Sequence, residues 1–508
     1  MPHGLSVASY AAQLSTALSH QDGPALAALV ALAPLLRDKH QLELLDYLAS
    51  DRWNGYGDRE GRSNPPGYQA LLHKHINKGF NKAGPWGDIA TAHVGVLVAL
   101  NPSANQATGL PMSQVDYVKA YEKQHEVVTA LYRYLIDARD SSTGWALPTL
   151  YQVCRDLRKV AEQADQQLLA SGQKAGKLEE ASRLLQKCFS ACLNDRASDM
   201  LASRKMGTYY LATLLFKVYF RLNSTALCRN LIRGIGAADL PPLSAFPRAH
   251  QVTYTYYMGV FAFLREDYGE AERKFQEALE GCHRKMKDNI TLILDYLIPL
   301  LLLRGVRPSP SIYARSARHR TLYAPFADAI KSGNVAAYDR QLERAEKSLM
   351  KRGTYLVVER AREAAVRGCL KKAWILESKP ARLSIETLRR YYNAAQRIGL
   401  EGGGGGAGDG SVGEAAGFEV DAEEMECLVA GLIYKGLVKG YISHAHGLVV
   451  LSKEKPFPWY PPYRPLSPTA AAARAQREKE RREAAVVLPP LPDPPAAEGG
   501  GEVEMGES

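Results

Sequence analysis

The chain has 508 residues, which is enough for two or three domains that bury a large core. The formal net charge of +10 is a modest excess that does not by itself select a partner. The longest apolar run, at residues 296–306, is too short to cross a bilayer and contains Pro299, so we predict a soluble intracellular protein with no membrane partner.

Amphipathic helices are predicted over the N-terminal part of the chain. Short helices extend to about residue 49, and a polar loop rich in Gly, Pro and Asn follows them. Longer helices are predicted over residues 115–137 and 147–170, because apolar residues recur there at helical spacing without the alternation of strands. We therefore predict an N-terminal helical region at residues 1–176.

An array of paired helices is predicted over residues 177–380. In its clearest unit, Gly259 stands where two helices would cross closely. Ala271, Phe275 and Ala278 fall on one face of the second helix, which is the small–aromatic–small spacing of a tetratricopeptide-like (TPR-like) hairpin. Degenerate units precede and follow it, and the aromatic residues at 254–263 are predicted to be core. Such stacked hairpins form a solenoid with a concave face for a partner.

The seven cysteines are scattered over apolar helical patterns. This usage is typical of reduced, buried thiols in a cytosolic or nuclear protein. Cys188 and Cys192 lie one helical turn apart, but no second Cys or His pair at zinc spacing accompanies them. We therefore predict no metal site at this pair.

One segment carries the positive excess of the whole chain. Residues 315–397 contain 19 Lys or Arg and 8 Asp or Glu, a net charge of +11, and the remaining residues sum to −1. From Tyr323 onward the segment is predicted to form three helices separated by the turns KSGN and KRGT, before the helix that starts near Ser384. An acidic partner is expected to meet the protein here, either nucleic acid or an acidic peptide. The alternative is a set of well-solvated helical surfaces.

A winged helix is predicted over residues 381–456. Ser384 and Asp421 are the expected N-caps of its two helices, and the short β-like runs GYIS and GLVVLS follow. A Gly-rich insertion interrupts the module at residues 401–417. Residues 457–508 are predicted to be a disordered tail. Its charged run RAQREKERRE is interpreted as a solvated helix fragment, with a weak nuclear-import signal as the alternative.

His444 and His446 stand at the predicted wing tip, in the stretch HAHG. Two His at i and i+2 of a strand share a face and could bind a metal ion. A structural or catalytic site needs at least a third ligand, and the neighbouring sequence offers none. We therefore predict an exposed tip. A weak contact of His444, His446 or Lys453 with phosphate is the alternative.

These features together resemble the PCI-domain family. The segments that carry the resemblance are YYMGVFAFLREDYGEAERKFQEAL, YLIPLLLLRGVRPS, AIKSGNVAAYD, LIYKGLVKGYISHAHGLVVLSK and KPFP. The similarity runs from about residue 5 to 460 and is greatest to the branch of the PCI subunit of transcription-and-export complex two and the signalosome-subunit-twelve-like proteins. The resemblance implies a mainly α fold, in which a TPR-like solenoid is capped by a C-terminal winged helix.

No motif for bond chemistry accompanies this fold. The chain has no GxxxxGK phosphate loop, no GxSxG and no HExxH. It also lacks the metal-binding JAMM motif of the catalytic subunits in PCI-containing complexes. We therefore predict that the protein is not an enzyme and needs no cofactor or metal.

The resemblance also implies a function and partners. The expected function is a non-catalytic subunit of a nuclear, transcription-coupled mRNA export complex, with the cytoplasm as a second location. Its expected partners are a large scaffold subunit, a small acidic subunit of the Sem type, and RNA or DNA bound without sequence preference. The alternative is an assembly subunit of a signalosome-like or proteasome-lid-like complex without nucleic-acid binding. A weaker alternative is a subunit of an initiation factor.

Cations on and just before the winged helix are the candidate nucleic-acid contacts. Lys and Arg on phosphates give sequence-independent, salt-sensitive binding. A winged helix offers its second helix and its wing as contact elements. The candidates are Arg389, Arg390, Lys435, Lys439, Lys453, Lys455, Lys371 and Lys372.

Overall fold

The structure is a computed structural model of the chain. It describes residues 7–32, 85–100, 115–137, 143–197, 203–401 and 419–458. The predicted N-terminal polar loop, nearly all of the Gly-rich insertion and nearly all of the C-terminal tail lie outside these residues. Two compact units make up the chain, Met1–Phe261 with Glu270–Leu297 and Ala262–Gly269 with Ile298–Ser508. The domain boundaries at residues 177 and 381 stay a prediction.

Helices account for all of the regular structure up to Leu303 in the described ranges. In chain order they are α1 (Val7–Ser19), α2 (Gly23–Leu29), α3 (Trp86–Leu100), α4 (Tyr117–Asp137), α5 (Leu147–Ala170), α6 (Lys177–Leu193), α7 (Thr208–Arg221), α8 (Thr225–Ala237), α9 (Arg248–Leu264), α10 (Tyr268–Gly281) and α11 (Lys287–Leu303). The long helices α4 and α5 confirm the predictions for residues 115–137 and 147–170. Every helix within the described ranges is too short or too polar to traverse a lipid bilayer.

The predicted hairpin is formed by α9 and α10, and its small–aromatic–small face is confirmed. Ala271, Phe275 and Ala278 are buried. A Cβ atom added at Gly259 would lie 2.9 Å from a ring carbon of Phe275, so only glycine lets the two helices approach this closely. The Phe275 ring also stacks on Tyr296, with ring centroids 5.3 Å apart. Of the aromatic residues of α9 that were predicted to be core, Phe261 and Phe263 are buried, whereas the three tyrosines are half-buried.

Gly259→Ala is expected to lower the free energy of unfolding by about 1–2 kcal/mol, because overpacking against Phe275 outweighs the better helix propensity of Ala. Gly234→Ala on α8 is the matched control, since a Cβ there meets no atom within 4 Å. That change is expected to stabilise the protein by about 0.5 kcal/mol. Urea unfolding followed by far-UV circular dichroism measures both. Equal stability of Gly259→Ala and the wild type would contradict the close helix crossing.

The second unit continues with shorter helices and a small sheet. Its elements are α12 (Pro310–Ala314), α13 (Ala317–Ser332), α14 (Val335–Arg352), α15 (Tyr355–Arg360), α16 (Arg362–Leu376), β1 (Arg382–Ser384), α17 (Ile385–Glu401), α18 (Ala422–Tyr434), β2 (Gly440–Ser443) and β3 (Leu448–Leu451). Where the sequence predicted three helices after residue 322, the structure has four. The Ala361 amide lies 3.1 Å from the carbonyls of both Val357 and Val358, so α15 tightens and ends before α16 begins.

The winged helix is confirmed, including both predicted N-caps. Asp421 accepts a hydrogen bond from the Glu424 amide at 2.8 Å, and the Glu424 carboxylate accepts one from the Asp421 amide, which completes a capping box. The Ser384 hydroxyl accepts from the Thr387 amide at 3.0 Å. The antiparallel sheet has the order β1–β3–β2. The predicted wing strands are β2 and β3, whereas β1 was not predicted.

Strand β1 is held by residues far away in sequence. Leu383 is paired with Val449, and the Leu451 amide donates to the Ala381 carbonyl at 2.9 Å. Only three residues long, the strand has no periodicity of its own. It becomes a strand because β3 offers it an unpaired edge.

Candidate nucleic-acid interface

The wing tip is a single 3₁₀ turn at His444–His446, between β2 and β3. The His444 side chain is 85% exposed, and its Nδ1 lies 2.9 Å from a carboxylate oxygen of Glu426. His446 Nδ1 lies 3.0 Å from the Ser443 hydroxyl. Among the residues that the structure describes, no three His, Cys, Asp or Glu side chains are grouped so that they could hold a metal ion. The tip is thus an exposed polar turn tied to α18.

The base of the wing brings three predicted cations close together. The Lys439 amide donates to the Pro456 carbonyl at 2.7 Å, and the Ser452 amide donates to the Lys439 carbonyl at 2.9 Å. These bonds place Lys439 beside the segment that carries Lys453 and Lys455. All three side chains are exposed. The wing base therefore presents three exposed cations, with one exposed carboxylate, that of Glu454, among them.

Two other predicted cations are held by carboxylates. Arg389 donates two hydrogen bonds to Glu386, at 2.8 and 2.7 Å. Lys435 forms an ion pair with Glu363 on α16. A phosphate at either position has to compete with an existing ion pair, so their contribution to binding is reduced. Arg390, in contrast, is 69% exposed and lies 4.0 Å from Glu386.

A pocket of about 440 Å³ lies within the second unit, and Leu437 in the turn after α18 contributes to its wall. Its other walls come from the chain just after α11, from α13 and from α16. The pocket is lined by six cationic residues. They are Arg304, Arg307, Lys331, Arg367, Lys371 and Lys372. None of the described lining residues is Asp or Glu, so the lining itself carries a net positive charge. We call this site the basic pocket.

The basic pocket also has apolar lining residues, which we call its floor, and two glycines are in contact beside them. Ala327, Ile330 and Ala364 line it. A Cβ atom at Gly368 would lie 2.7 Å from the Ile330 carbonyl oxygen, and one at Gly333 would lie 2.5 Å from the Cys369 amide nitrogen. The end of α13 therefore lies directly on the backbone of α16. This contact holds together the two helices that contribute residues to the pocket.

Arg367 joins the pocket to the base of the wing. Its guanidinium donates to the Leu437 carbonyl at 3.0 Å and to the Pro458 carbonyl at 2.6 Å. It also lies over the Phe457 ring, 6.0 Å from the centroid. Burial lowers the pKa of Arg367, but a guanidinium keeps its charge at neutral pH. The residue thus fixes the wing to α16 and contributes positive charge to the pocket wall.

The structure groups the predicted cations differently from the sequence. Lys371 and Lys372 lie in the basic pocket, whereas Lys439, Lys453 and Lys455 lie at the wing base. The pocket also contains three cations that were not predicted from the sequence as phosphate contacts. They are Arg304, Arg307 and Lys331. The basic segment was counted from residue 315, so the sequence RGVR at residues 304–307 fell outside it. The two arginines of this sequence, directly after α11, were the signal that could have predicted Arg304 and Arg307.

Helical hairpins that lead into a C-terminal winged helix define the class of PCI-domain proteins. A family model of the PCI domain matches residues 414–453. The chain is 40% identical over 408 residues to the protein CSN12 homolog of Mycosarcoma maydis. The aligned residues cover 74% of this chain and 84% of the relative. It is 31% identical over 376 residues to PCI domain-containing protein 2 of Xenopus laevis, and the alignment covers 74% of this chain and 84% of the relative. Enhanced ethylene response protein 5 of Arabidopsis thaliana is 33% identical, with 64% and 73% covered.

The chain therefore belongs to the PCI-domain family, in the branch of the CSN12 homologs and PCI domain-containing protein 2. This confirms the resemblance found in the sequence. It also makes the chain a non-catalytic PCI-domain subunit of a multi-subunit complex.

Proposed function

We propose that this protein is the PCI subunit of a nuclear, transcription-coupled mRNA export complex. It pairs there with a large scaffold subunit, and the winged helices of both form a platform that binds RNA or DNA without sequence preference. A small acidic subunit of the Sem type is the second protein partner. The cytoplasm is a second location of the protein. The likeness to PCI domain-containing protein 2 supports this choice within the family.

The single observation that carries the proposal is the basic pocket beside the wing. Cations from three separate chain segments line one concavity of about 440 Å³ whose described wall has no carboxylate. Concave walls of one charge concentrate ligands of the opposite charge. Phosphates are the abundant ligands that Lys and Arg bind in this way without reading sequence.

A second candidate function is that of an assembly subunit without nucleic-acid binding, in a signalosome-like or lid-like complex. The ion pairs Arg389–Glu386 and Lys435–Glu363 favour it, because two of the cations predicted to contact phosphate are already paired with carboxylates. In the described sheet β2 is also an edge strand, and such an edge can pair with a strand of a neighbouring subunit. The similarity to the CSN12 homolog of Mycosarcoma maydis is consistent with this second function.

Co-purification and a salt series separate the two functions. Tagged full-length protein is expected to co-purify with a large scaffold subunit and a small acidic subunit. The purified complex is then expected to bind a single strand and a duplex of mixed sequence, more weakly at higher salt. Replacing Lys439, Lys453 and Lys455 by Ala is expected to reduce the slope of log K against log salt by about 2, because about 0.7–0.9 is lost per phosphate contact.

The matched control replaces three exposed cations of the first unit, Lys174, Arg183 and Lys187, by Ala. It removes the same charge and is expected to leave the salt slope unchanged. A complex that binds neither nucleic acid at low salt would rule out the export platform and leave the assembly function.

A further inference from the structure

We propose that the basic pocket receives one unstacked nucleotide of a single strand, so that the platform prefers single-stranded to double-stranded nucleic acid. This inference rests on the proposed function and adds a specificity to it. The pocket combines an apolar floor with a cationic wall, and an unstacked nucleotide combines an apolar base with a charged phosphate. The two surfaces are therefore complementary in chemistry.

The size and the exposure of the wall suit this ligand. A volume of about 440 Å³ falls in the range of pockets that hold small molecules, roughly 300–1,000 Å³. Arg307, Lys331 and Lys372 are exposed and stand where a phosphate can reach them. Ile330 is half-buried and Ile375 is exposed, and both lie among the lining residues and offer apolar surface to a base.

The position of the pocket favours a nucleic acid over an acidic peptide. Leu437 lines the pocket, and Lys439 at the wing base is only two residues further along the chain. Arg367 ties the same turn to α16 through the Leu437 carbonyl. A strand that crosses the exposed cations of the wing base can thus continue towards the pocket, and its phosphates meet cations at both places.

A duplex cannot use the pocket in the same way. Its bases are stacked and paired inside the helix, and a base reaches a concave floor only after it has been unstacked. The phosphates of a duplex can therefore contact only the exposed cations of the pocket. The apolar floor and these cations together favour the single strand, whereas the cations of the wing base can bind a single strand or a duplex.

Fluorescence anisotropy of the purified complex, with labelled strands of about 20 nucleotides and the matching duplex, tests the proposal. The variant carries Arg307→Glu, Lys331→Glu and Lys372→Glu together. The matched control carries Arg318→Glu, Arg320→Glu and Lys347→Glu, which change the same charge at exposed positions of the same unit. Circular dichroism verifies that each variant is folded.

The wild-type complex is expected to bind the single strand about tenfold more tightly than the duplex. The pocket variant is expected to lose about tenfold in single-strand affinity and to lose the preference, whereas the control weakens both ligands by the same factor. An abasic strand, which keeps its phosphates but has no bases, is expected to bind the wild type about tenfold more weakly than the intact strand. This penalty is expected to disappear in the pocket variant.

Equal losses for strand and duplex in the pocket variant, or an abasic strand that binds as well as the intact one, would overturn the nucleotide pocket and leave the platform intact. Competition by tripolyphosphate without any abasic penalty would mark the pocket as a plain anion site, which also overturns it. Competition by a poly-glutamate peptide, with strand binding unchanged in the variant, would assign the pocket to an acidic protein. Absence of all nucleic-acid binding would defeat the proposed function itself.

Discussion

Gly333→Ala is expected to lower the free energy of unfolding of the second unit by about 3 kcal/mol. Gly333 ends α13 with a φ of +65°, a left-handed conformation that costs an L-residue roughly 1–2 kcal/mol. Its new Cβ would also lie 2.5 Å from the Cys369 amide nitrogen and 2.7 Å from the Gly368 carbonyl carbon. These are backbone atoms that cannot rotate away, so α13 and α16 must separate, at a further cost of about 1–3 kcal/mol.

Gly353→Ala is the matched control for this change. Gly353 ends α14 with a φ of +68°, but a Cβ there meets no atom within 4 Å. It is expected to lose only the conformational part, about 1 kcal/mol. Urea unfolding gives the free energies, and hydrogen exchange shows whether α13 and α16 open first in Gly333→Ala. Losses of the same size in both variants would contradict the direct contact of α13 with α16 beside the pocket floor.

Asp195→Ala is expected to lower the free energy of unfolding of the first unit by about 3–5 kcal/mol, since it leaves the Arg204 guanidinium without its buried partner. The Asp195 side chain is 1% exposed. It accepts hydrogen bonds from the Arg204 side chain at 2.7 Å and from the Ser203 hydroxyl at 2.8 Å. Arg204 also donates to the Leu135 carbonyl in the last turn of α4. The pair thus connects the end of α4 with the chain before α7.

Glu126→Ala is the control for the loss of a carboxylate. Its pair with Lys123 lies on the surface of α4, where Glu126 is 53% exposed. A surface pair of this spacing contributes about 0.5 kcal/mol or less. Urea unfolding of both variants and of Arg204→Ala measures the difference. An Asp195→Ala variant that loses no more than Glu126→Ala would contradict the buried pair as a structural link.

The buried pair also predicts a dependence of stability on pH. Burial by itself raises the pKa of Asp195, but hydrogen bonds from Arg204 and Ser203 outweigh it and hold the pKa below its ordinary value near 3.8. The stabilisation is therefore complete above that ordinary value and is lost as the pH falls through the lower pKa of the folded state. Asp195→Ala is expected to remove this contribution, so wild type and variant should converge in stability in strong acid.

Features that depend on neighbours within a few residues were predicted well. The helices α4 and α5, the caps at Ser384 and Asp421 and the strands β2 and β3 follow from local spacing and local hydrogen bonds. The hairpin of α9 and α10 was recognised because Gly259 and Phe275 lie on two consecutive helices of one short segment. Each of these signals is complete within about 30 residues of sequence.

The candidate site depended on contacts that no such window contains. Lys371 and Lys372 were suspected from their charge alone, but their pocket also needs Arg304 and Arg307, which lie more than 60 residues earlier. Likewise, the pairing of Lys435 with Glu363 across 72 residues is invisible to a count of charges.

By itself the sequence determined the helical hairpins, the winged helix and the membership of the PCI-domain family. Helix periodicity, caps and family motifs depend only on residues that are close together in the sequence. Only the tertiary structure decided which cations share a concave wall and which are paired with carboxylates. The physical reason is distance. Electrostatic and packing energies depend on separation in space, and the contact of Gly333 with Gly368 brings together segments that the chain order keeps apart.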